Sequence, residues 1–174
     1  MDDTALIEKA VSGDKGAFEA LLSNWYDVMF KMAYKYCGNR SDAEDITQEA
    51  CIKLARSIGT FSYKSAFSTW LYRLVINAAI DFQRRQKPAR PLEEGFMGAC
   101  APDAEDQTYA HEILRQVYAL PEKEKTAILL VMGEGMTHAQ AAEIMDCKEK
   151  TISWYISEAR KKLGVTREKE RHHG

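Results

Sequence analysis

Three observations predict an all-α protein built from two small helical domains, a helical bundle and a helix-turn-helix. Apolar residues recur at helical spacing along almost the whole chain, and no stretch alternates as a strand does. Only four prolines and ten glycines interrupt 174 residues, so long helices are permitted. Hydrophobic residues make up 45% of the chain, enough for two real cores. The predicted domains are 1–86 and 107–174, joined by an irregular linker over 87–106.

The first domain opens with Leu6, Ile7, Ala10 and Val11, a short amphipathic start that Ser12-Gly-Asp-Lys-Gly16 breaks. A long helix follows, with Phe18, Leu21, Leu22, Trp25, Met29, Met32, Ala33 and Tyr36 on one broad face. Gly38-Asn39 ends it. Ser41-Asp-Ala-Glu44 has the form of a capping box and predicts a third helix over about 42–57, with Ile46, Ala50, Leu54 and Ser57 inward. Residues 59–68 form a loop rich in hydroxyls and aromatic rings. A fourth helix over about 69–86 buries Leu71, Leu74, Val75, Ala78 and Phe82.

The linker holds Pro88, Pro91 and Pro102 with Gly95 and Gly98, and has no periodicity. Fully extended, it would reach about 60 Å. So long an unstructured segment is unusual inside one compact domain, so it reads as an interdomain connection. Beyond it, Tyr109, Ile113, Val117 and Leu120 repeat at helical spacing, and Pro121 sits where a first-turn proline costs nothing. Ile128, Leu129, Val131 and Met132 are the expected core of that next helix, which Gly133-Glu-Gly135 turns into the final pair.

That final pair is the most informative segment. Thr137 and Gln140 form a capping box, and Ala141, Ala142 and Met145 are small or apolar where two helices must approach. Ile152, Ile156, Ala159 and Leu163 make one buried stripe of a second helix. Lys150, Thr151, Ser153, Trp154 and Ser157 are left on its other sides, and Arg160, Lys161 and Lys162 close its last turn, where cations suit the dipole and phosphates. A helix-turn-helix offers such a second helix to a DNA major groove; an ordinary helical hairpin with a basic end fits the same residues.

The net charge of −2 excludes indiscriminate attraction to nucleic acid, so any DNA contact must come from local patches. Such patches exist at Arg73, Arg84, Arg85 and Lys87 and again from Lys148 to Lys162, whereas 92–114 carries acids and no Lys or Arg. Cys37, Cys51, Cys100 and Cys147 have no metal-binding spacing, so unpaired thiols, no metal and no cofactor are expected. With no signal peptide and no membrane-spanning apolar run, the expected location is a reducing cytoplasm. No nucleophile–base pair or phosphate loop points to an enzyme.

Two more constellations stand out. Asp45, Gln48, Glu49 and Ile52 fall at i, i+3, i+4 and i+7, an acidic face that is either simply solvated or able to dock on a basic helix. The loop with Phe61, Ser62, Tyr63, Lys64, Ser65 and Phe67 leads into Trp70, Arg73, Asn77, Arg84 and Arg85. Rings beside cations suit single-stranded nucleic acid, where stacking is worth about 1–3 kcal/mol per base. Phe67 reads as core, while Tyr63, Lys64 and Trp70 fit either the core or a bound base.

Asp42-Ala-Glu-Asp-Ile-Thr-Gln-Glu49, Phe67-Ser-Thr-Trp-Leu-Tyr-Arg73 with Asn77 and Asp81, Leu120-Pro121-Glu122 and Ala159-Arg-Lys-Lys-Leu163 together resemble bacterial extracytoplasmic-function (ECF) sigma factors of the sigma-70 family. The resemblance spans 6–163 in order and spacing. It implies a region 2-like first domain and a region 4-like second one, in a subunit that directs core RNA polymerase to stress- or signal-responsive promoters. Asp45, Gln48, Glu49 and Ile52 would grip the β′ subunit, with further contacts to β. Phe61, Ser62, Tyr63, Lys64, Trp70, Arg73, Asn77, Arg84 and Arg85 would open and hold the −10 element. Lys148, Lys150, Thr151, Ser153, Trp154, Ser157, Arg160 and Lys161 would bind the −35 element. The acidic linker would thread toward the polymerase active-site channel. An anti-sigma factor is the further partner implied, and one that could hold the chain at a membrane.

The chain departs from the family at Ser153, Tyr155 and Glu158, where many relatives carry Lys or Arg, and at Lys148, where a capping Ser is common. These departures lower the expected affinity for an isolated −35 duplex, and they motivate a rival reading as a decoy that binds an anti-sigma factor without touching DNA. A dimeric helix-turn-helix repressor is a further rival, but it leaves the first domain without a role.

Overall fold

The computed structural model describes residues 3–86 and 107–164, with side chains described in 3–86 and 112–164. All regular elements among the described residues are helical. The chain divides into two compact units, Met1–Glu93 and Glu94–Gly174. The predicted linker, 87–106, lies outside the described residues.

The first unit contains α1 (Thr4–Val11), α2 (Lys15–Cys37), α3 (Arg40–Ser57) and α4 (Phe67–Gln86). A 3-10 turn over Ile58–Thr60 leads into the loop before α4. Helices α2, α3 and α4 each pack against the other two, and α1 lies on α2 and on the 3-10 turn. The three long helices meet through fully buried alanines (Ala33, Ala43, Ala50, Ala78 and Ala79), which let the backbones approach while Leu21, Met29, Tyr36, Ile46, Leu54, Leu71 and Val75 fill the core.

Asp14 accepts from the Ala17 N–H at 3.0 Å and starts α2. Gly38 ends α2 in the left-handed region, φ +80°, with its N–H on Tyr34 O. The predicted capping box at Ser41 is corrected: α3 begins two residues earlier than expected, and its cap is Asn39, whose Oδ1 accepts from the Asp42 N–H at 2.9 Å. Once Gly38 has reversed the chain, Asn39 is already extended and is the first residue able to cap. Glu44 pairs instead with Arg40, one turn away. Ser57 is half-buried with its hydroxyl on Lys53 O, and Ile58 takes the core place expected for it. Leu74 is likewise only half-buried, and Ile76 and Ala79 supply the buried surface beside Val75.

The second unit contains α5 (Gln107–Tyr118), α6 (Glu122–Ile128), α7 (His138–Met145) and α8 (Glu149–Lys162). Pro121 stands just outside α6, at its cap position rather than in its first turn. Helix α6 continues into a π-turn over Leu129–Gly133, in which the Glu134 N–H reaches back to Leu129 O. The wider turn shifts the phase of the side chains. Leu130 becomes fully buried and Met132, expected in the core, is turned outward and 60% exposed.

Helix α8 packs on both α6 and α7 through Ile152, Ile156 and Ala159. A buried carboxylate secures the α6 contact. Glu124 is nearly enclosed, and Lys162 Nζ donates to both of its oxygens at 2.8 and 2.9 Å. Lys162, expected to face phosphates, is thereby committed to the fold.

If Asn39 caps α3, Asn39→Ala lowers the stability of the full chain by about 1 kcal/mol, while Ser41→Ala changes it by less than about 0.5 kcal/mol. Urea titrations followed by circular dichroism compare the two.

Candidate nucleic-acid interfaces

Two surfaces of the first unit and one of the second gather the residues singled out above. On α3, Asp45 and Gln48 are exposed, Ile52 is 52% exposed, and Glu49 is partly covered. The four share the face opposite Ile46, Ala50 and Leu54, as the helical spacing requires. Glu49 is not a lone charge: it pairs with Arg85 at the end of α4. One turn further along α3, Lys53 pairs with Asp81 at 2.9 Å. The acidic face and the basic end of α4, read from the sequence as separate surfaces, are therefore adjacent. Exposed pairs contribute only about 0–1 kcal/mol, so either partner can be reassigned to an incoming ligand at little cost.

The loop between the 3-10 turn and α4 stands on a cluster of rings. Phe61 lies 5.3 Å from Trp70 and 5.5 Å, edge to face, from Phe67. Phe67 in turn meets Trp25 of α2 at 5.6 Å. The Trp25 Nε1–H donates to Asp3 Oδ2 at 2.8 Å, and Asn24 Nδ2 donates to Asp3 Oδ1 at 3.1 Å, so a buried carboxylate at the chain start braces the cluster. Phe61 was expected to meet DNA. The structure places it only 6% exposed, at the centre of the cluster, where it supports the loop.

Tyr63 does face outward. It is 53% exposed, with its ring 4.8 Å from Phe61 and its backbone at φ +58°. That conformation costs a non-glycine residue about 1–2 kcal/mol, and the ring platform beneath it holds the strained position. Ser62, Lys64, Asn77, Arg84 and Arg85 are exposed, and Trp70 and Arg73 are half-buried. One edge of α4 and its preceding loop thus offer a ring, hydroxyls, an amide and cations.

In the second unit the capping box is formed as expected: the Gln140 N–H donates to Thr137 Oγ1 at 3.1 Å, and the Thr137 N–H donates to Gln140 Oε1 at 2.9 Å. Asp146 turns the chain between α7 and α8 at φ +53°, and the Cys147 N–H closes the turn on Ala142 O. Lys148 stands at the start of α8 without a side-chain cap bond. Lys150, Ser153, Trp154, Ser157, Arg160 and Lys161 are exposed, and Thr151 is half-buried. Lys161 pairs loosely with Glu158, and the Ser153 hydroxyl lies 2.9 Å from His138 Nδ1. Burial pushes the Cys51 and Cys147 thiols up, away from thiolate chemistry. Among the described residues no cluster of His, Cys, Asp or Glu is placed to hold a metal ion, and no helix is long and apolar enough to cross a membrane.

Residues 21–89 match the family Sigma-70 region 2, and residues 110–163 match Sigma-70, region 4. The ECF RNA polymerase sigma-E factor of Haemophilus influenzae is 36% identical over 94% of each chain. The chain belongs to the ECF RNA polymerase sigma factors. Its fold is similar to that of CnrH, solved with the cytosolic domain of CnrY, at a TM-score of 0.68, 21% identity and coverage of 94% of this chain and 95% of that one. It is also similar to that of the sigma factor RpoE of Bartonella quintana, solved with the anti-sigma factor NepR, at a TM-score of 0.65, 21% identity and coverage of 84% and 93%.

Two supporting residues of this sigma factor escaped sequence reading. Trp25 was legible as part of the broad α2 face, but its link to the loop was not. Asp3 sits in a sequence with no helical signal of its own, and only the folded chain brings it to Trp25. The two roles in the ring cluster separate on substitution. Phe61→Ala lowers stability by about 3–5 kcal/mol, as loss of a buried ring does, whereas Tyr63→Ala changes it by about 1 kcal/mol or less. Urea titration of the full chain measures both.

Proposed function

We propose that this sigma factor binds core RNA polymerase through the Asp45–Gln48–Glu49–Ile52 face of α3, holds the opened −10 element on the Tyr63 loop and the exposed edge of α4, and reads the −35 element with α8. The observation that carries this reading is that one small helical unit carries both an acidic face on α3, which meets the basic end of α4 through Glu49 and Arg85, and a strained, outward aromatic residue on a ring platform before the start of α4. An acidic face with one exposed isoleucine suits a basic helical partner on the β′ subunit. A tyrosine beside Ser62, Lys64 and Asn77 suits an unstacked base and its polar edge.

The magnitudes assign the work between partners. Stacking of one base on a protein ring is worth about 1–3 kcal/mol, while each lost DNA stacking step costs about 1.4 kcal/mol on average. One or two captured bases therefore hold a locally opened step but do not open a whole bubble, which is why strand opening needs the polymerase around it. The polymerase supplies the chemistry, and the sigma factor supplies no catalytic group. The linker over 87–106, with acids and few cations, suits passage through a channel built for nucleic acid. A cytoplasmic location and control by an anti-sigma factor follow from the same reading, since a similarly folded sigma factor was solved with one. The regulated promoters are those of a stress or signal response.

The uncapped start of α8, with Lys161 paired and Lys162 committed to Glu124, favours a second reading in which the chain is a decoy for an anti-sigma factor. Run-off transcription with bacterial core polymerase on a library of host promoters separates the two. The proposed function predicts specific new transcripts, reduced at least tenfold by the double substitution Asp45→Ala and Gln48→Ala through loss of core binding. Core binding without transcripts would favour the decoy, and absence of core binding would overturn the sigma reading.

A further inference from the structure

We propose that Trp154 reads a thymine of the −35 element, recognising its C5-methyl group by apolar contact. The inference rests on the assignment of α8 to −35 DNA and names the feature of the base pair that this helix recognises.

At 100° per residue, Ile152, Ile156 and Ala159 define the buried direction of α8, and Lys150, Trp154, Ser157 and Lys161 fall on the diametrically opposite line. Trp154 is at the centre of that line and is 57% exposed. The Tyr155 ring packs against it at 5.4 Å and limits its orientation. An indole turned fully away from the core contributes little to folding and is available to a ligand of this face. The surrounding charge identifies the kind of partner. Lys150 and Lys161 share the outward line with the ring; among the described residues Lys150 makes no ion pair and Lys161 is held only by its surface pair with Glu158, so this line is cationic and fits a phosphate-bearing duplex.

The side chains that remain decide which base feature is read. Between Glu149 and Ala159 there is no Arg, Asn or Gln, so the planar groups that bind guanine or adenine bidentately are absent from the body of the helix. The Ser153 hydroxyl is engaged by His138 and by Glu149 O, and Thr151 is half-buried. Lys150, Trp154 and Ser157 are left to face a groove. The major groove offers one apolar feature, the thymine methyl, and Trp154 is the one large apolar group on the outward line of α8. Lys150 lies one turn before it, about 6 Å along the axis, and so addresses a base or phosphate about two base-pair steps away.

The test uses holoenzyme assembled from the full chain and core polymerase, on promoters with a fixed −10 element and a randomised −35 segment. Deoxyuridine then replaces each thymine of a selected −35 segment in turn, removing only the methyl group. The expected result is one thymine whose replacement lowers open-complex formation about fourfold, the ratio for burying one methyl-sized group. That sensitivity disappears in Trp154→Ala and persists in Trp154→Phe, which keeps a ring. Core binding is unchanged in both variants, and because Trp154 is exposed neither variant disturbs the fold. Selection at −35 without any methyl-sensitive thymine, or sensitivity that survives Trp154→Ala, would overturn this inference alone. Equal transcription by wild type and Trp154→Ala across the library would also overturn it, and would leave the ring to a protein partner. No selection at −35 at all would overturn the assignment of α8 together with it.

Discussion

The ring cluster of Trp25, Phe61, Phe67 and Trp70 is the interaction on which the first unit's functional surface depends. It joins α2, the loop and the start of α4 in one continuous contact, and Asp3 anchors its far end through the Trp25 indole. Without it the loop would be a short polar segment between two helices, free to adopt many conformations. With it, the loop backbone is held firmly enough to keep Tyr63 at positive φ. Each edge-to-face or tilted pair contributes about 0.5–1.5 kcal/mol beyond the area it buries, so several pairs together exceed the strain at Tyr63. For the proposed capture of a base, an acceptor ring placed in advance lowers the ordering needed on binding.

Charge is divided between architecture and ligand by burial. Lys162 and Glu124 form a pair in which the carboxylate is almost enclosed, so removal of Lys162 would leave a buried carboxylate uncompensated. Glu49–Arg85, Lys53–Asp81 and Lys161–Glu158 are exposed pairs and weakly held. The same residue types thus perform different work: Lys162 secures α8 to α6, while its neighbour Lys161 is only weakly held at the surface. The position of the facing acid, buried in one case and solvated in the other, makes the difference.

Two local devices set the geometry of the second unit. The π-turn at Leu129–Gly133 ends α6 with a phase shift that buries Leu130 and exposes Met132, and Asp146 in the left-handed region redirects the chain between α7 and α8. Helix α8 then lays Ile152, Ile156 and Ala159 on its neighbours, and the line through Lys150, Trp154 and Ser157 is left outward. Which side chains of α8 are left outward is therefore a consequence of which ones the core requires.

Much was determined by the sequence alone. The helical class, the order of the helices and the Thr137–Gln140 box follow from spacing and local chemistry, because a helix's buried stripe and its caps depend on residues within one or two turns. The outward placement of Asp45, Gln48, Ile52 and Trp154 was legible for the same reason. Only the tertiary structure decided the rest. Asn39 rather than Ser41 caps α3 because the reversal at Gly38 decides which residue is extended. Phe61 is a support and Tyr63 the exposed ring because alternation within a loop carries no periodic signal, and burial there is set by Trp25 and Trp70 from distant positions. Lys162 belongs to the fold because Glu124, 38 residues away, lies across from it. Pairings across such separations depend on how helices cross, which no single segment encodes.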